Sequence, residues 1–278
     1  MSQKQRLDAL LVERGLFASR QQAQRAIQAG WVRVNHQVID KPGTPVPAEV
    51  DLEIHQKQPY VSRGGEKLAK ALAAFGVTPA GRVCLDGGIS TGGFTDCLLQ
   101  AGATRVYGID VGYGQVAWSL RQDDRVVLRE RTNLRHLTPA ALYSPTDPWP
   151  SLGVVDVSFI SLAQVLPALW TLLAPPRELI ALVKPQFEAG REAVGKGGVV
   201  RDLQQQALVL QKVMAAATTL GWGYGGLTWS PCLGPAGNIE YLLWLVTTDP
   251  QTFPESSDLA ALTQAAGRAL RDASSGRE

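Results

Sequence analysis

LDGGISTGGFTD, residues 85–96, sets four glycines, two threonines and a serine between an apolar run that ends at Leu85 and the apolar CLL that follows. Glycine at this density lets a backbone take left-handed turns and pass close to a bound molecule. A helix starting near Gly92 would present unpaired N–H groups at the same place. The loop is the first strand-to-helix turn of a repeating pattern. RVCLD (82–86), RVYGID (105–110), RVVLRE (125–130), GVVDVSF (153–159) and ELIALVK (178–184) read as strands, and helical patterns over 92–101, 162–173 and 203–220 lie among them. Apolar runs rich in β-branched residues suit strands covered on both faces, and their alternation with helices predicts a doubly wound, Rossmann-like α/β sheet. GYGGLTWSPCL (223–233) and IEYLLWLV (239–246) follow each other without a helix, so the last strand is expected to run antiparallel.

In such sheets ligands bind outside the carboxyl ends of the strands. A dinucleotide fingerprint, G-x-G-x-x-G, is not met: counted from Gly88, the second glycine position holds Ser90. Asp86, read as the end of the first strand, and Asp110, at the end of the second, suit S-adenosylmethionine better. Its ammonium group needs an anion near the first strand, and its ribose hydroxyls need an acceptor at the second. The cofactor set expected from the loop is Asp86, Gly88, Ser90, Thr91, Gly92 and Asp110, with Asp156 beyond it.

The first 57 residues have a different texture. The patterns 7–14 and 20–29 read as two short helices closed by Gly15 and Gly30, the second capped by Ser19, and WVRV, HQVI and VDLEI read as short strands. Ala23, Ala26 and Ile27 form the inward stripe of the second helix, and Arg20, Gln21, Gln24, Arg25 and Gln28 its polar face. Net charge over 278 residues is only +2, but Lys4, Arg6, Arg14, Arg20, Arg25, Arg33 and Lys41 outnumber the acids of this segment, as on a phosphate-binding surface. Arg6-Leu7-Asp8, Gly15, Ser19-Arg20, Ala23, Ile27, Gly30, Val32, Val34-Asn35 and Lys41-Pro42 together resemble the αL RNA-binding module shared by a ribosomal small-subunit protein, pseudouridine synthases and tyrosyl-tRNA synthetases. The resemblance implies RNA contacts through Arg6, Arg20, Arg25 and Lys41. The Pro-rich PGTPVPAEV and the polar HQKQPY read as a domain edge and linker, which divides the chain into an RNA-binding domain at 1–57, a linker at 58–61, an α/β cofactor-binding domain at 62–248 and a C-terminal helix and tail at 249–278.

No apolar run reaches the roughly 18 residues of a membrane span, and the polar start lacks the layout of a secretory signal, so a cytoplasmic protein without a membrane partner is expected. Three unclustered cysteines, Cys84, Cys97 and Cys232, exclude a disulfide or zinc framework. His36, His55 and His136 are isolated and read as surface or packing residues. Nothing in the residues assigns an oligomeric state.

VSRGGEKL, LDGGISTGGFTD, DVGYGQVAWSLR, VVDVSFISL, VKPQFE, GGVVRD and GNIEYLLWL, in this order behind the RNA-binding module, resemble the TlyA family. These are ribosomal RNA 2′-O-methyltransferases with an FtsJ-type catalytic domain, often labelled hemolysin A. The resemblance implies a cytidine ribose in large-subunit rRNA as target and, in some members, one in small-subunit rRNA as well, so that rRNA or ribosomal subunits are the partners. It places a catalytic Lys-Asp-Lys-Glu set on Lys67, Asp156, Lys184 and Glu240. Ile89, where the family often has a small residue, is expected to reshape the methionine pocket slightly, and Gly87 to be tolerated. A non-catalytic RNA-binding protein and a hemolysin are the alternatives.

The four positions make sense on their own terms. Asp156 and Lys184 end the fourth and fifth strands, and Glu240 begins the last strand at the same edge if that strand is antiparallel. Lys67 flanks the stripe Leu68, Ala71, Leu72 and Phe75, whereas Lys70 points away. A ribose hydroxyl is a weak acid and needs a base. Burial, Lys67 and the cofactor's sulfonium charge would favour a neutral Lys184, which Asp156 would orient, while Lys67 and Glu240 position the ribose. Amino-group methylation is excluded by DVSF, which lacks the [DN]-P-P-[FY] pattern; Pro231-Cys232 lies too far along the chain for a cytosine C5 nucleophile. PQFEAGREAVGKGGVVRD, after Lys184, reads as either a lid over the ribose or a plain connector.

Overall fold

The computed structural model describes residues 4–17, 19–28, 30–54 and 59–275. Ala29, His55, Gln58 of the expected linker and the tail beyond Ser275 lie outside them. The chain separates into two compact units at Pro59/Tyr60.

In the first unit, β1 (Lys4–Arg6) leads into α1 (Leu7–Glu13) and α2 (Arg20–Gln28), followed by β2 (Val32–Val34), β3 (Gln37–Val38), β4 (Pro45–Pro47) and β5 (Leu52–Ile54). The strands form a three-stranded sheet in the order β3-β2-β5 and a separate antiparallel pair, β1 with β4. Leu7, Leu10 and Leu11 of α1 and Ala23, Ala26 and Ile27 of α2 close the core with Val32, Val46 and Val50. The stretch read as a domain edge is therefore part of the fold: Pro45–Pro47 pairs with Lys4–Arg6 and buries Val46. Proline survives here because an edge strand needs only alternate N–H groups for its ladder.

The second unit contains α3 (Gly64–Phe75), β6 (Val83–Gly87), α4 (Gly93–Gln100), β7 (Arg105–Ile109), α5 (Trp118–Arg121), β8 (Val126–Arg129), α6 (Pro139–Leu142), β9 (Leu152–Val155), α7 (Leu166–Leu172), β10 (Glu178–Val183), α8 (Pro185–Glu188), α9 (Leu203–Thr218), β11 (Gly223–Trp229), β12 (Tyr241–Val246) and α10 (Ser256–Ser275). Its sheet has the order β11-β12-β10-β9-β6-β7-β8. Pairing is parallel from β10 through β8, and β12 runs antiparallel to both its neighbours. Side chains alternate between two cores: Leu179, Ala181 and Val183 of β10 face the layer of α7, α9 and α10, while Ile180 and Leu182 face that of α3 and α4. Each fully buried leucine or isoleucine contributes about 1.5–3 kcal/mol. The helical pattern at 162–173 begins as a 3-10 turn, Leu162–Gln164, before α7.

Chain order runs outward from β6 to β8 on one side and from β9 to β10 on the other, so β6 and β9 flank the point where the winding reverses. A crevice opens there at the carboxyl ends of the strands. Among the described residues no helix is long and apolar enough to cross a membrane.

Candidate active site

Gly88 follows β6 and Asp156 follows β9, on either side of the crevice. They meet closely: the Asp156 N–H donates to the Gly87 carbonyl at 2.9 Å, and a Cβ on Gly88, whose φ is +87°, would collide with the Asp156 carbonyl. Only glycine satisfies both demands.

Two clefts open from this point. The larger, about 440 Å³, is lined by Gly88, Ser90, Asp110, Gln115, Thr132, Asn133 and the segment from Asp156 to Ile160. The smaller, about 200 Å³, is lined by Arg63, Lys67, Gly88, Ser90, Thr91, Asp156 and Pro235, among others. Gly88, Ser90 and Asp156 line both, so the clefts join at the strand ends.

The four residues of the expected catalytic set form two ion pairs. Lys184, immediately after β10, places Nζ 2.6 Å from Asp156 Oδ1 and donates to Ser158 Oγ at 2.8 Å. Lys67 projects from α3 onto Glu240, the residue before β12, and both side chains are buried, Glu240 to 1% exposure. The reversal of β12 brings Glu240 to this edge, and Gly234 lets the preceding loop cross it, since a Cβ there would strike Glu240 Oε1. Lys67 and Asp156 line the smaller cleft; Lys184 and Glu240 are not among its lining residues and are joined to it through these two ion pairs.

The cofactor candidates divide likewise. The Asp110 carboxylate accepts the Ser90 N–H at 2.8 Å and the Gly112 N–H at 2.7 Å on separate oxygens, which holds the glycine loop against the next strand end. Each oxygen keeps a second lone pair toward the cleft. Thr91 lines the smaller cleft, but Gly92 lines neither; with φ +97° it caps α4 and packs under Leu120. β6 runs on to Gly87, so Asp86 lies inside the strand. It is fully buried and accepts the Thr95 hydroxyl at 2.7 Å on Oδ2, while Oδ1 has no partner among the described residues. Burial pushes its carboxyl up to about 7, against the opposing Thr95 hydrogen bond. An orphaned carboxylate oxygen beneath the loop, an acceptor at Asp110 and a cleft of nucleoside size fit S-adenosylmethionine.

Ile89 lines the smaller cleft, and its buried side chain packs against Gly108, where any Cβ would collide with it. Two expectations are corrected. Lys70 does not point freely outward; its ammonium lies 4.4 Å from the centre of the Trp229 ring, and burial lowers its pKa. His36 is not isolated, because its ring pairs with Glu53 across the β2–β5 sheet. The segment after Lys184 is tied down in this conformation, with the Val200 N–H on Asn238 Oδ1 at 3.0 Å and Asn238 Nδ2 on the Gly198 carbonyl at 2.8 Å.

Sequence reasoning missed Ser158, Thr132 and Asn133. The signal for the last two was available, since they follow β8 at the same sheet edge. Phe159, 91% exposed at φ +64°, forms the outer rim beside Phe187.

In the first unit, Asp8 is fully buried and accepts Arg6 Nε and a second Arg6 nitrogen at 3.0 and 2.9 Å, Arg20 at 3.1 Å and Gln24 Nε2 at 2.7 Å. The Arg6 contact, joined by Gln24 and Arg20, holds the Asp8 carboxyl well below the usual carboxylate range. Two of the four expected RNA-binding cations thus already share an internal partner, although each remains about half exposed. Arg25 and Lys41 are exposed.

Comparison with known proteins agrees with this anatomy. Residues 60–247 match the family described as FtsJ-like methyltransferase, and residues 5–52 match the S4 domain. The chain is 51% identical over 249 residues to the 16S/23S rRNA (cytidine-2′-O)-methyltransferase TlyA of Mycobacterium tuberculosis, covering 89% of this chain and 91% of that one. It is 40% identical over 237 residues to hemolysin A of Brachyspira hyodysenteriae, covering 85% and 98%. A solved structure from Streptococcus thermophilus described as a candidate hemolysin superposes with a TM-score of 0.75 at 42% identity, over 99% of this chain and 100% of that one.

Proposed function

Since the chain belongs to the FtsJ-like methyltransferase family and carries the S4 domain of its TlyA relatives, we propose that it methylates the 2′-oxygen of a cytidine ribose in ribosomal RNA. The observation that carries this reading is the pairing of Lys184 with Asp156 and of Lys67 with Glu240 around one cleft at the switch point of the sheet.

S-adenosylmethionine, when bound, supplies the electrophilic methyl group. Asp110, Gly88, Ser90 and Thr91, which line the clefts, would hold it, Gly92 would shape their loop by capping α4, and the buried Asp86 carboxylate, which lines neither cleft, would attract its ammonium group from beneath the loop or through water. Lys184 accepts the 2′-hydroxyl proton at Nζ. The ammonium so formed is stabilised by Asp156, 2.6 Å away, and oriented by Ser158. Lys67 and Glu240 orient the ribose, their mutual contact fixing both side chains before substrate arrives. The O–C bond that forms replaces the methyl–sulfur bond that breaks, the cofactor leaving as the neutral thioether, and with the proton on Lys184 the product is a neutral methyl ether. The substrate places the enzyme with ribosomes in the cytoplasm. Mapping 2′-O-methyl sites in rRNA from cells with and without the gene tests the reading: a cytidine methylated only when the gene is present supports it, and identical maps refute it.

Two further outcomes follow from this assignment. An ammonium group favours the ionised form of Asp86, so by linkage cofactor affinity falls as pH drops below 7, by about tenfold per unit once the carboxyl is mainly protonated. Calorimetric titration between pH 5.5 and 8 should show that slope, and Asp86→Asn should bind weakly with little dependence over the same range. In the S4 domain, Arg25→Ala and Lys41→Ala should each weaken rRNA binding and reduce the salt slope by about one without altering the melting temperature. Asp8→Ala should lower the melting temperature as well, because it releases Arg6, Arg20 and Gln24 together.

A further inference from the structure

GGVVRD, residues 197–202, takes no part in the chemistry above, yet it forms one wall of another cleft. This cleft, about 690 Å³, lies between Val199–Leu203, the 233–239 loop and the last turns of α10 at Gly267–Arg271. Leu203, Leu233, Ile239 and Leu270 make it apolar inside. Arg201 stands exposed at its edge, with no ion pair or hydrogen bond among the described residues.

The cleft is built rather than incidental. Asn238, buried to 1% exposure, joins its walls by accepting the Val200 N–H and donating to the Gly198 carbonyl, and its own carbonyl accepts the Gly234 N–H at 2.9 Å. Gln206, also buried, donates to the Val200 carbonyl at 2.7 Å. The 233–239 loop also separates this cleft from the catalytic one: Pro235 faces the cleft of Lys67 and Asp156, whereas Leu233, Ala236 and Gly237 face the other. The two openings therefore lie one loop's thickness apart.

An apolar interior with a guanidinium at its mouth matches a nucleotide, whose base is apolar on its faces and whose phosphate is anionic. We propose that this cleft takes a nucleotide of the substrate RNA adjacent to the one methylated, its base against Leu203, Leu233 and Leu270 and its phosphate on Arg201. The proposal rests on the 2′-O-methyltransferase reading. It makes residues 197–203 a determinant of which nucleotide enters the neighbouring site.

Steady-state methylation of rRNA by the full-length enzyme tests it, with Arg201→Glu, Arg201→Lys and Gly267→Leu. Gly267 is suited to filling the cleft: it lies within α10, and the nearest atoms to a Cβ there are those of Leu203 at 3.4 Å and Arg271 at 3.6 Å, ordinary contact distances. Arg201→Glu and Gly267→Leu should each raise KM for rRNA by about tenfold with kcat and cofactor affinity unchanged, Arg201→Glu should lower the salt slope, and Arg201→Lys should stay near wild type. Unchanged KM in both variants overturns the proposal. An effect of Arg201→Glu without one of Gly267→Leu also overturns it, since a phosphate would then bind outside an empty cleft. If Gly267→Leu lowers the melting temperature, Leu203→Ala, which removes part of the apolar wall, replaces it with the same expected rise in KM. A wild-type enzyme that leaves rRNA unmethylated refutes the parent reading instead, and the variants' rRNA dissociation constants then decide the cleft by the same criteria.

Discussion

Lys184→Ala is expected to slow methyl transfer by about 10²–10⁴-fold, the range for loss of a positioned general base, while cofactor and rRNA still bind. The measurement is a single turnover with saturating cofactor, which isolates transfer from product release. Lys184 is not among the residues lining either cleft but is paired at 2.6 Å with Asp156, which lines both, so its removal takes away the proton acceptor while the lining residues remain. Lys184→Arg should not recover the rate, because a guanidinium stays protonated and its plane does not reproduce the contacts of one ammonium with Asp156 and Ser158. Near-normal transfer by Lys184→Ala would remove this lysine from the chemistry and leave positioning as the source of the rate.

The second large effect separates stability from activity. Lys67→Met strands Glu240, which is 1% exposed, and breaking a buried pair from one side costs about 3–5 kcal/mol. For a unit of this size that lowers the melting temperature by roughly 10 °C. Lys67→Met combined with Glu240→Gln removes both charges, so the double variant should regain most of the lost stability. It should remain as inactive as the single variant, because the groups that orient the ribose are gone. A double variant that recovers both properties would make the pair a structural bridge only.

The parts of this molecule that were legible from sequence are those with one physical requirement each. β9 and β10 are covered on both faces, so nearly continuous apolar runs announced them. The order of strands and glycine loop then located the crevice, while the TlyA resemblance supplied Asp156, Lys184 and Glu240, positions that the strand ends accommodate. Positions whose role depends on two distant segments were harder to read. Pro45–Pro47 resembles a linker until Lys4–Arg6 is available to pair with it. Ile89 looks like an intrusion on a ligand until Gly108 supplies the space beneath it. Lys70 follows the helical wheel outward, but Trp229 arrives from β11 and partly covers it. Asp86 reads as a strand-end ligand group, but one further residue of strand puts it below the surface, so it can act on a cofactor only from beneath the loop.

The convergence of Arg6, Arg20 and Gln24 on Asp8 has a consequence for how RNA is captured. A free arginine loses about 0.5–1.5 kcal/mol of rotational freedom when a ligand immobilises it. In this domain much of that loss has already occurred on folding, since two guanidinium groups are restrained before any phosphate approaches. Encounter with RNA then meets a partly rigid cationic surface, and the entropic penalty of complex formation is smaller. Asp8, an acid hidden from solvent, thereby influences how long RNA stays bound without touching it, and its loss should appear chiefly as faster dissociation.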